Sequence, residues 1–161
     1  HHWSDNINKG YDMYYKLAEW CKNRDDYEFI FVGRKFNDKY DTRNIQIKGP
    51  YSGKQMADEL RAADIYVTAS IYDAGPMHVV EGLACGLPML YINHIGGTIN
   101  ICQLNDNKIG EQFSDFQNML TKLDKIKNNY EYYYNNIIQN MELYNSDKCF
   151  IDYYKLFLCI K

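Results

Sequence analysis

Two carboxylates stand on either side of a Gly-Pro turn in the segment SIYDAGPMHVVEGLACGLPMLY, residues 70–91. Seven residues separate the first acid, Asp73, from the second, Glu81. A strand, this turn and an apolar helix from about Met77 would leave backbone N–H groups unpaired at the helix start. Such groups bind hydroxyls or phosphate oxygens, and Glu81 can reach back toward the opening that Asp73 lines. The pattern predicts a site that binds a polyol.

The elements that must position these acids alternate along the chain. Strand-like apolar runs with little polar alternation, separated by helical stretches, are typical of buried parallel βαβ units. The predicted strands are 29–33, 45–47, 65–69 and 89–92, and the predicted helices are 10–23, 53–63 and 77–85. The predicted fold class is α/β, a Rossmann-like doubly wound parallel sheet with right-handed crossovers and C-terminal helices.

The pattern changes in the last third of the chain. A short edge strand is predicted at 109–113 and a helix at 116–126. Apolar residues, mostly tyrosines, then recur every three or four positions from Tyr130 to Tyr144, which predicts one long amphipathic helix. We interpret its apolar stripe as core packing or as a contact with another domain. A last helix is predicted at 148–160.

The loops after successive strands should line one site, because open α/β sheets bind ligands beyond the carboxyl ends of their strands. Five segments are expected there: 4–10, 33–34, 48–53, 72–77 and 94–100. Lys9 lies at the start of the first predicted helix, where its ammonium and the helix dipole favour a diphosphate. Arg34, at the end of a strand, suits the base or ribose side. No D-x-D occurs in the sequence, so we expect metal-independent binding and no cofactor.

Composition narrows the classes of function. A length of 161 residues fits one domain, and a net charge of -3 disfavours a nucleic-acid surface. The five cysteines include no C-x-x-C pair, so they predict neither a disulfide framework nor a zinc site. They suit a reducing cytosol, and no signal peptide or membrane-spanning apolar run occurs, so a cytoplasmic location is predicted. The G-x-G-x-x-G and P-loop patterns are absent too.

The acid-pair segment resembles the donor-sugar motif of retaining GT-B glycosyltransferases, in particular glycosyltransferase family 4. Two acids with seven residues between them define that motif, and Ala-Gly-Pro, Glu-Gly-Leu-Ala-Cys-Gly-Leu-Pro and a later Gly-Gly fall where the family has them. Two positions depart from the pattern. Asp73 stands where the family usually has Glu, and Trp3 or Ser4 stands near an Arg that shortly precedes Lys9 in the family.

The opening His-His-Trp-Ser-Asp-Asn, followed by Lys-Gly, is similar to the start of the second domain in a branch of these transferases. The resemblance therefore implies one nucleotide-sugar-binding domain over 1–161, with its first strand truncated and the N-terminal acceptor domain absent. An alternative interpretation makes His1 and His2 the remnant of a purification tag.

The resemblance also implies a role for each site residue. Glu81 accepts hydrogen bonds from the ribose hydroxyls, while Asp73 and the backbone around the Gly-Pro turn hold the transferred sugar. Gly96, Gly97 and Thr98 approach the phosphates, and the segment from Lys48 to Tyr51 lies against the nucleobase. The expected catalytic residues are Lys9, Asp73 and Glu81, and the expected binding residues are Arg34, Lys48, Gly49, Tyr51, Gly75, Pro76, Met77, Gly96, Gly97 and Thr98.

The implied activity is retaining transfer of a hexosyl group from a UDP-, GDP- or ADP-sugar to an acceptor hydroxyl. Lys9 and the helix N-termini would neutralise the departing diphosphate. The general base is the leaving phosphate itself or belongs to the N-terminal domain, which would also contact a membrane-surface or glycan acceptor. The isolated domain is expected to be inactive. Two alternatives stay open: a non-catalytic half that binds a nucleotide or a protein partner, and a nucleotide-sugar epimerase.

Simpler interpretations exist for several of these residues. Asp73 could cap the helix that follows it. We interpret His78 and His94 as packed or capping residues and Cys85 as a small core residue.

Overall fold

The computed structural model describes residues 6–34, 45–103 and 109–159, so the predicted end of a first strand at residues 1–4 lies outside the described residues. The described residues form five strands: β1 (Ile30–Val32), β2 (Gln46–Lys48), β3 (Tyr66–Thr68), β4 (Met89–Ile92) and β5 (Gly110–Phe113). The α-helices are α1 (Tyr11–Cys21), α2 (Gly53–Arg61), α3 (Met77–Ala84), α4 (Gly97–Cys102), α5 (Phe116–Asn128), α6 (Tyr130–Gln139) and α7 (Ser146–Cys159). Short 3₁₀ turns lie at Ile7–Lys9 and Met141–Tyr144.

All described strand pairs are parallel. Phe31 of β1 lies opposite Ile47 of β2, and Leu90 of β4 lies opposite Val67 of β3 on one side and Glu111 of β5 on the other. The described strands form two ladders, β1-β2 and β3-β4-β5, where the sequence predicts one continuous sheet. Parallel strands alternating with helices confirm the predicted α/β, Rossmann-like class.

The two faces of β4 belong to two separate cores, because successive side chains of a strand point to opposite faces. Leu90 and Ile92 pack in a cluster with residues of α1 and α5. Met89 and Tyr91 pack in a second cluster with residues of α2 and α3. All four residues of β4 are buried, so helices cover both faces of this ladder, as a parallel sheet requires.

The long helix predicted from residue 130 to residue 144 is interrupted. The α-helix α6 ends at Gln139, and a 3₁₀ turn follows from Met141 to Tyr144. Between them, Asn140 folds its side chain back onto the carbonyl of Asn136. Asparagine has low helix propensity, and the tighter turn buries Tyr144 in the second core, so packing outweighs the continuous helical pattern.

Helix α4 is absent from the prediction. Its sequence GTINIC begins with glycine and contains β-branched residues, which are poor helix formers. Within the three described ranges, no helix is both long and apolar enough to span a bilayer.

Candidate functional site

The segment before α1 is held against the carboxyl end of β3. Gly10 has a φ of 73°, and a Cβ there would collide with the carbonyl oxygen of Ala69. The N–H of Ile71 donates to the carbonyl of Asn8 at 2.7 Å. Glycine is needed at position 10 because both the positive φ and the close approach exclude a side chain. This packing places Lys9 beside the loop that follows β3.

Lys9 forms an ion pair with Asp73 across this packed contact. The distance from Lys9 Nζ to Asp73 Oδ2 is 2.6 Å, and the two side chains are 19% and 14% exposed. The sequence predicts separate ligands for them, a diphosphate for the lysine and a sugar for the aspartate. An ammonium has three N–H donors and this pair uses one, so Lys9 can hold Asp73 and still donate to an anion beside it.

Helix α3 exposes one face to solvent. Met77 and Glu81, one turn apart, are exposed, whereas His78, Val79, Gly82 and Leu83 are buried. A Cβ at Gly82 would lie 2.9 Å from the ring of Tyr66, so glycine lets the helix lie close to β3. The N-cap position of α3 is Pro76, which makes no side-chain cap hydrogen bond.

The two carboxylates influence one buried phenol. The pKa of Tyr66 lies well above its usual range, chiefly because of burial and also because of Tyr14, Glu81 and Asp73. Both acids therefore lie within electrostatic range of the Tyr66 hydroxyl.

A cavity of about 330 Å³ lies between α2 and the outer face of α3. Glu81 and Tyr51, predicted to contact ribose and nucleobase, both line it, and so do Ser52, Arg61 and Cys85. A carboxylate and an aromatic ring in one cavity can accept hydrogen bonds from a diol and pack against a planar base. Cys85 is half-buried, which agrees with a small packing residue at the cavity wall.

Lys48 lies elsewhere. Its ammonium is 2.9 Å from Glu59 Oε2, and both residues line a different cavity of about 500 Å³ between the edges of β1 and β3. Gly49 has a φ of 87°, which supplies the turn between Lys48 and Tyr51. The structure therefore divides the predicted base-binding segment between two cavities. Arg34 is exposed just after β1.

The loop between β4 and α4 packs onto the loop that contains Asp73. The N–H of Gly97 donates to the Asp73 carbonyl at 2.8 Å, and a Cβ at Gly97 would lie 2.7 Å from Pro76 Cδ. Gly96 also packs here, because its Cβ would lie 3.2 Å from the same carbonyl oxygen. These glycines are thus explained by loop packing, whereas the sequence predicts an approach to phosphate.

The Gly-Pro turn leaves one open position. A Cβ at Gly75 would meet no atom within 4 Å, so its backbone faces free space. The N–H of Met77 is used inside the turn, since it donates to the Gly75 carbonyl at 2.8 Å. Thr98 is 5% exposed, and its Oγ1 finds no hydrogen-bond partner in the described part of the chain.

The two histidines near the site differ in their surroundings. His94 accepts a hydrogen bond at Nδ1 from the N–H of Ile95 at 3.0 Å, and its ring packs edge-on against Tyr72. His78 is buried, with Nε2 3.2 Å from Thr68 Oγ1 and Nδ1 3.7 Å from Asp73 Oδ2. The sequence offers no signal for this second contact, because spacing along α3 shows only that His78 faces inward.

Comparison with known proteins places this chain in a family. The family model described as Glycosyl transferases group 1 matches residues 5–143. The chain belongs to this family. Among solved structures, one described as the crystal structure of the GtfA/B complex is similar to this group 1 glycosyltransferase chain, with a TM-score of 0.68 and 16% sequence identity. The likeness covers 94% of this chain and 33% of that one, so the chain spans about a third of that relative.

The structural likeness confirms that this group 1 glycosyltransferase chain has a fold similar to GT-B glycosyltransferases. No curated protein matches the sequence. In this chain, the structure brings Lys9 and Asp73 together near Gly75, and it places Glu81 with Tyr51 in the cavity between α2 and α3. The ligand roles of these residues stay predictions.

Proposed function

We propose that this domain binds the nucleotide-sugar donor of a retaining, metal-independent glycosyltransferase. One observation carries the proposal. The ammonium of Lys9 lies 2.6 Å from Asp73 just before α3, and α3 carries Glu81 into the cavity that Tyr51 also lines. The loop before α3 and α3 itself therefore hold the proposed sugar-binding acid and the proposed ribose-binding acid, and Lys9, from the segment before α1, lies beside the first of them.

Each group has a physical task in this arrangement. Glu81 accepts hydrogen bonds from the ribose hydroxyls, and a charged acceptor contributes about 1.5–3 kcal/mol per bond. Asp73 holds hydroxyls of the transferred sugar above the open backbone of Gly75. Lys9 neutralises the negative charge that grows on the diphosphate as it leaves, and it acts most strongly where water is excluded.

In the transfer itself, the bond from the anomeric carbon to the diphosphate oxygen breaks, and the acceptor oxygen bonds to the same carbon from the same face. The acceptor proton goes to the departing phosphate or to a base outside this domain. The acceptor site belongs to an N-terminal domain, so the domain alone is inactive. A hexosyl donor and a cytoplasmic location are parts of the same proposal.

Calorimetric titration with UDP-, GDP- and ADP-sugars, with and without EDTA, tests the proposal. We expect one sugar nucleotide to bind tightly and EDTA to leave its affinity unchanged. Glu81→Gln should weaken that binding at least tenfold with the fold intact by circular dichroism. Glu142→Gln is the matched control, because Glu142 pairs with Lys148 on the exposed surface. Unchanged affinity in the Glu81 variant, or loss of binding in EDTA, would contradict the proposal.

A second candidate is a non-catalytic GT-B half that binds a nucleotide or a protein partner. The close Lys9–Asp73 pair favours it, because two opposite charges at 2.6 Å largely cancel each other. The same titration separates the candidates. Free nucleotide binding as tightly as any sugar nucleotide supports the non-catalytic half. Turnover of a sugar nucleotide without an acceptor would instead support an epimerase.

A further inference from the structure

The two ladders border one cavity. Among the described strands, β1 pairs with β2 alone, and β3 pairs with β4 and with no other strand. The cavity of about 500 Å³ is lined by residues of both inner strands, Ile30–Val32 of β1 and Tyr66–Val67 of β3. The edge of a strand that faces away from its partner presents a row of backbone N–H and C=O groups, which can pair with another strand. The cavity therefore lies between two such edges.

The hydrogen bonds of each ladder show which backbone groups point toward the cavity. In a parallel pair, every second residue of a strand bonds to the same neighbour. The N–H of Gly33 donates to the carbonyl of Lys48, and the N–H of Tyr66 donates to the carbonyl of Pro88, both at 2.9 Å. Alternate residues therefore point away from β2 and β4. The backbone groups that point toward the cavity belong to Ile30 and Val32 of β1 and to Ile65 and Val67 of β3.

The side chain of Tyr14 spans the gap between the ladders. Its ring centroid lies 6.0 Å from that of Phe31 in β1, and its hydroxyl accepts a hydrogen bond at 2.9 Å from the N–H of Ala69, just after β3. Strands on either side of a single inserted strand lie about 9.6 Å apart, and two inserted strands would need about 14 Å. Because one side chain contacts both ladders, the gap admits one strand and not two.

Apolar side chains close the cavity on both faces. Leu17 of α1 and Leu123 of α5 line it from the first core, and Leu60 of α2 and Leu87 line it from the second. A strand in this position is buried on both faces, as β4 is, so its side chains must be apolar without polar alternation. Val67, at the cavity edge of β3, is half-buried, whereas all four residues of β4 are buried.

The segment before α1 lies at one end of the cavity. The carbonyl of Asn8 accepts a hydrogen bond from the N–H of Ile71 at 2.7 Å, on the same edge of β3 as Ala69. Asn8 therefore lies at the carboxyl end of this edge, and the chain enters α1 from there. A strand that leads from the cavity to Asn8 runs parallel to β3. With α1 and β1 it forms a βαβ unit, the connection that parallel neighbouring strands require.

We propose that the cavity between β1 and β3 takes a further β-strand, apolar on both faces, from polypeptide on the N-terminal side of His1. This strand pairs with β1 on one edge and with β3 on the other, and it joins the two ladders into one parallel sheet. It also precedes the segment that places Lys9 beside Asp73. The strand is independent of the proposed function, because its test needs no ligand.

An N-terminal extension tests this strand. Val-Ile-Leu-Phe-Val is joined directly before His1, and thermal unfolding and amide hydrogen exchange are compared with those of the 161-residue chain. We expect Tm to rise by about 5–10 °C. Exchange of the four amides that point toward the cavity should slow about tenfold more than exchange at Tyr66, whose N–H already bonds within its ladder. Unchanged Tm and unchanged exchange would overturn the proposal.

Two extensions of equal length are the matched controls. Val-Lys-Leu-Lys-Val places both lysines on one face of a strand, so burial on two faces is impossible, and Tm should stay within about 2 °C. Gly-Ser-Gly-Ser-Gly measures the effect of added length alone. An equal gain in Tm from either control would overturn the proposal, because the gain would then not come from a strand that is buried on both faces.

Another occupant of the cavity gives a different result. If the four amides of the unextended chain exchange slowly, and dilution that dissociates a dimer in sedimentation makes them fast, a second copy fills the cavity and the proposal fails. Should the extended chain aggregate, the free peptide Lys-Val-Ile-Leu-Phe-Val-Lys is titrated into the 161-residue chain. Slower exchange at the same four amides supports the strand, and unchanged exchange at saturating peptide overturns it.

Discussion

Asp73 and Glu111 are two mostly buried carboxylates that are each paired with lysine but lie in different parts of the fold. Their side chains are 14% and 12% exposed. Glu111 lies in β5 and receives Lys122 at 2.7 Å, Lys125 at 2.6 Å and the hydroxyl of Tyr133 at 2.6 Å. These three donors come from α5 and α6, so Glu111 joins three elements of the fold.

Asp73 lies instead in a loop at the carboxyl ends of the strands. Lys9 is its close ionic partner, and His78 stands at 3.7 Å, while the neighbouring Gly75 faces open space. A carboxylate surrounded by protein donors uses its acceptor positions to stabilise the fold. A carboxylate that has few close donors and lies beside an opening keeps acceptor positions for a ligand. The comparison therefore separates a structural acid from a proposed sugar-binding acid.

The largest expected effect comes from removing the cation beside Asp73. Lys9→Met keeps the length of the side chain but loses the charge, and we expect donor affinity to fall about 100-fold, about 2.7 kcal/mol. Lys122→Met is the matched control beside Glu111, and it should leave donor affinity unchanged. Isothermal titration of both variants measures the difference. Equal affinities in the two would remove the distinction between the regions.

The next effect concerns stability at Glu111. Burial by itself raises the pKa of Glu111, but hydrogen bonds from Lys122, Lys125 and Tyr133 outweigh it and lower the pKa from 4.5 to about 2. Glu111→Gln should therefore lower the free energy of unfolding by about 2 kcal/mol at pH 7. Donor affinity should stay unchanged, as urea unfolding and titration of the same sample will show.

The pH dependence of that loss follows from the lowered pKa. The folded state favours the ionised carboxyl, so its stabilisation is complete above the unfolded pKa near 4.5 and is lost as the pH falls toward 2. The difference between the original protein and Glu111→Gln should thus shrink between pH 4.5 and pH 2. A difference that stays constant over this range would mean that the charge of Glu111 is not what stabilises the three elements.

A smaller effect is expected at the open glycine. Gly75→Ala adds a methyl group that meets no protein atom within 4 Å, so stability should change by less than about 0.5 kcal/mol. Donor affinity should fall about tenfold, because the methyl group enters the space proposed for the sugar. Gly97→Ala gives the contrast: its Cβ would lie 2.7 Å from Pro76, so it should destabilise by about 1–3 kcal/mol. Unchanged affinity in Gly75→Ala would show that the ligand lies elsewhere.

Local sequence signals predict much of the fold. The strand at Met89–Ile92 matches its prediction residue for residue, because a continuous apolar run between a proline and polar residues has one simple interpretation. The helix start at Met77 also matches, since proline favours the first turn of a helix. The break at Asn140 could not be predicted, because it depends on where Tyr144 is buried.

The site is less visible in the sequence, because its contacts join distant segments. The spacing of Asp73 and Glu81 predicts a binding site, but the pairing of Lys9 with Asp73 depends on Gly10 packing against Ala69. The inward position of His78 against Thr68 is likewise a tertiary contact. Composition and periodicity predict single helices and strands, so they cannot predict contacts between loops.

The central claim is that Asp73 binds the sugar and Glu81 binds the ribose of one donor. Affinities of Asp73→Asn and Glu81→Gln for the sugar nucleotide and for its nucleoside diphosphate test it most directly. We predict that Asp73→Asn lowers the affinity for the sugar nucleotide at least tenfold and the affinity for the nucleoside diphosphate less than threefold. Glu81→Gln should lower both affinities equally. Affinities that neither substitution changes for either ligand would contradict the account.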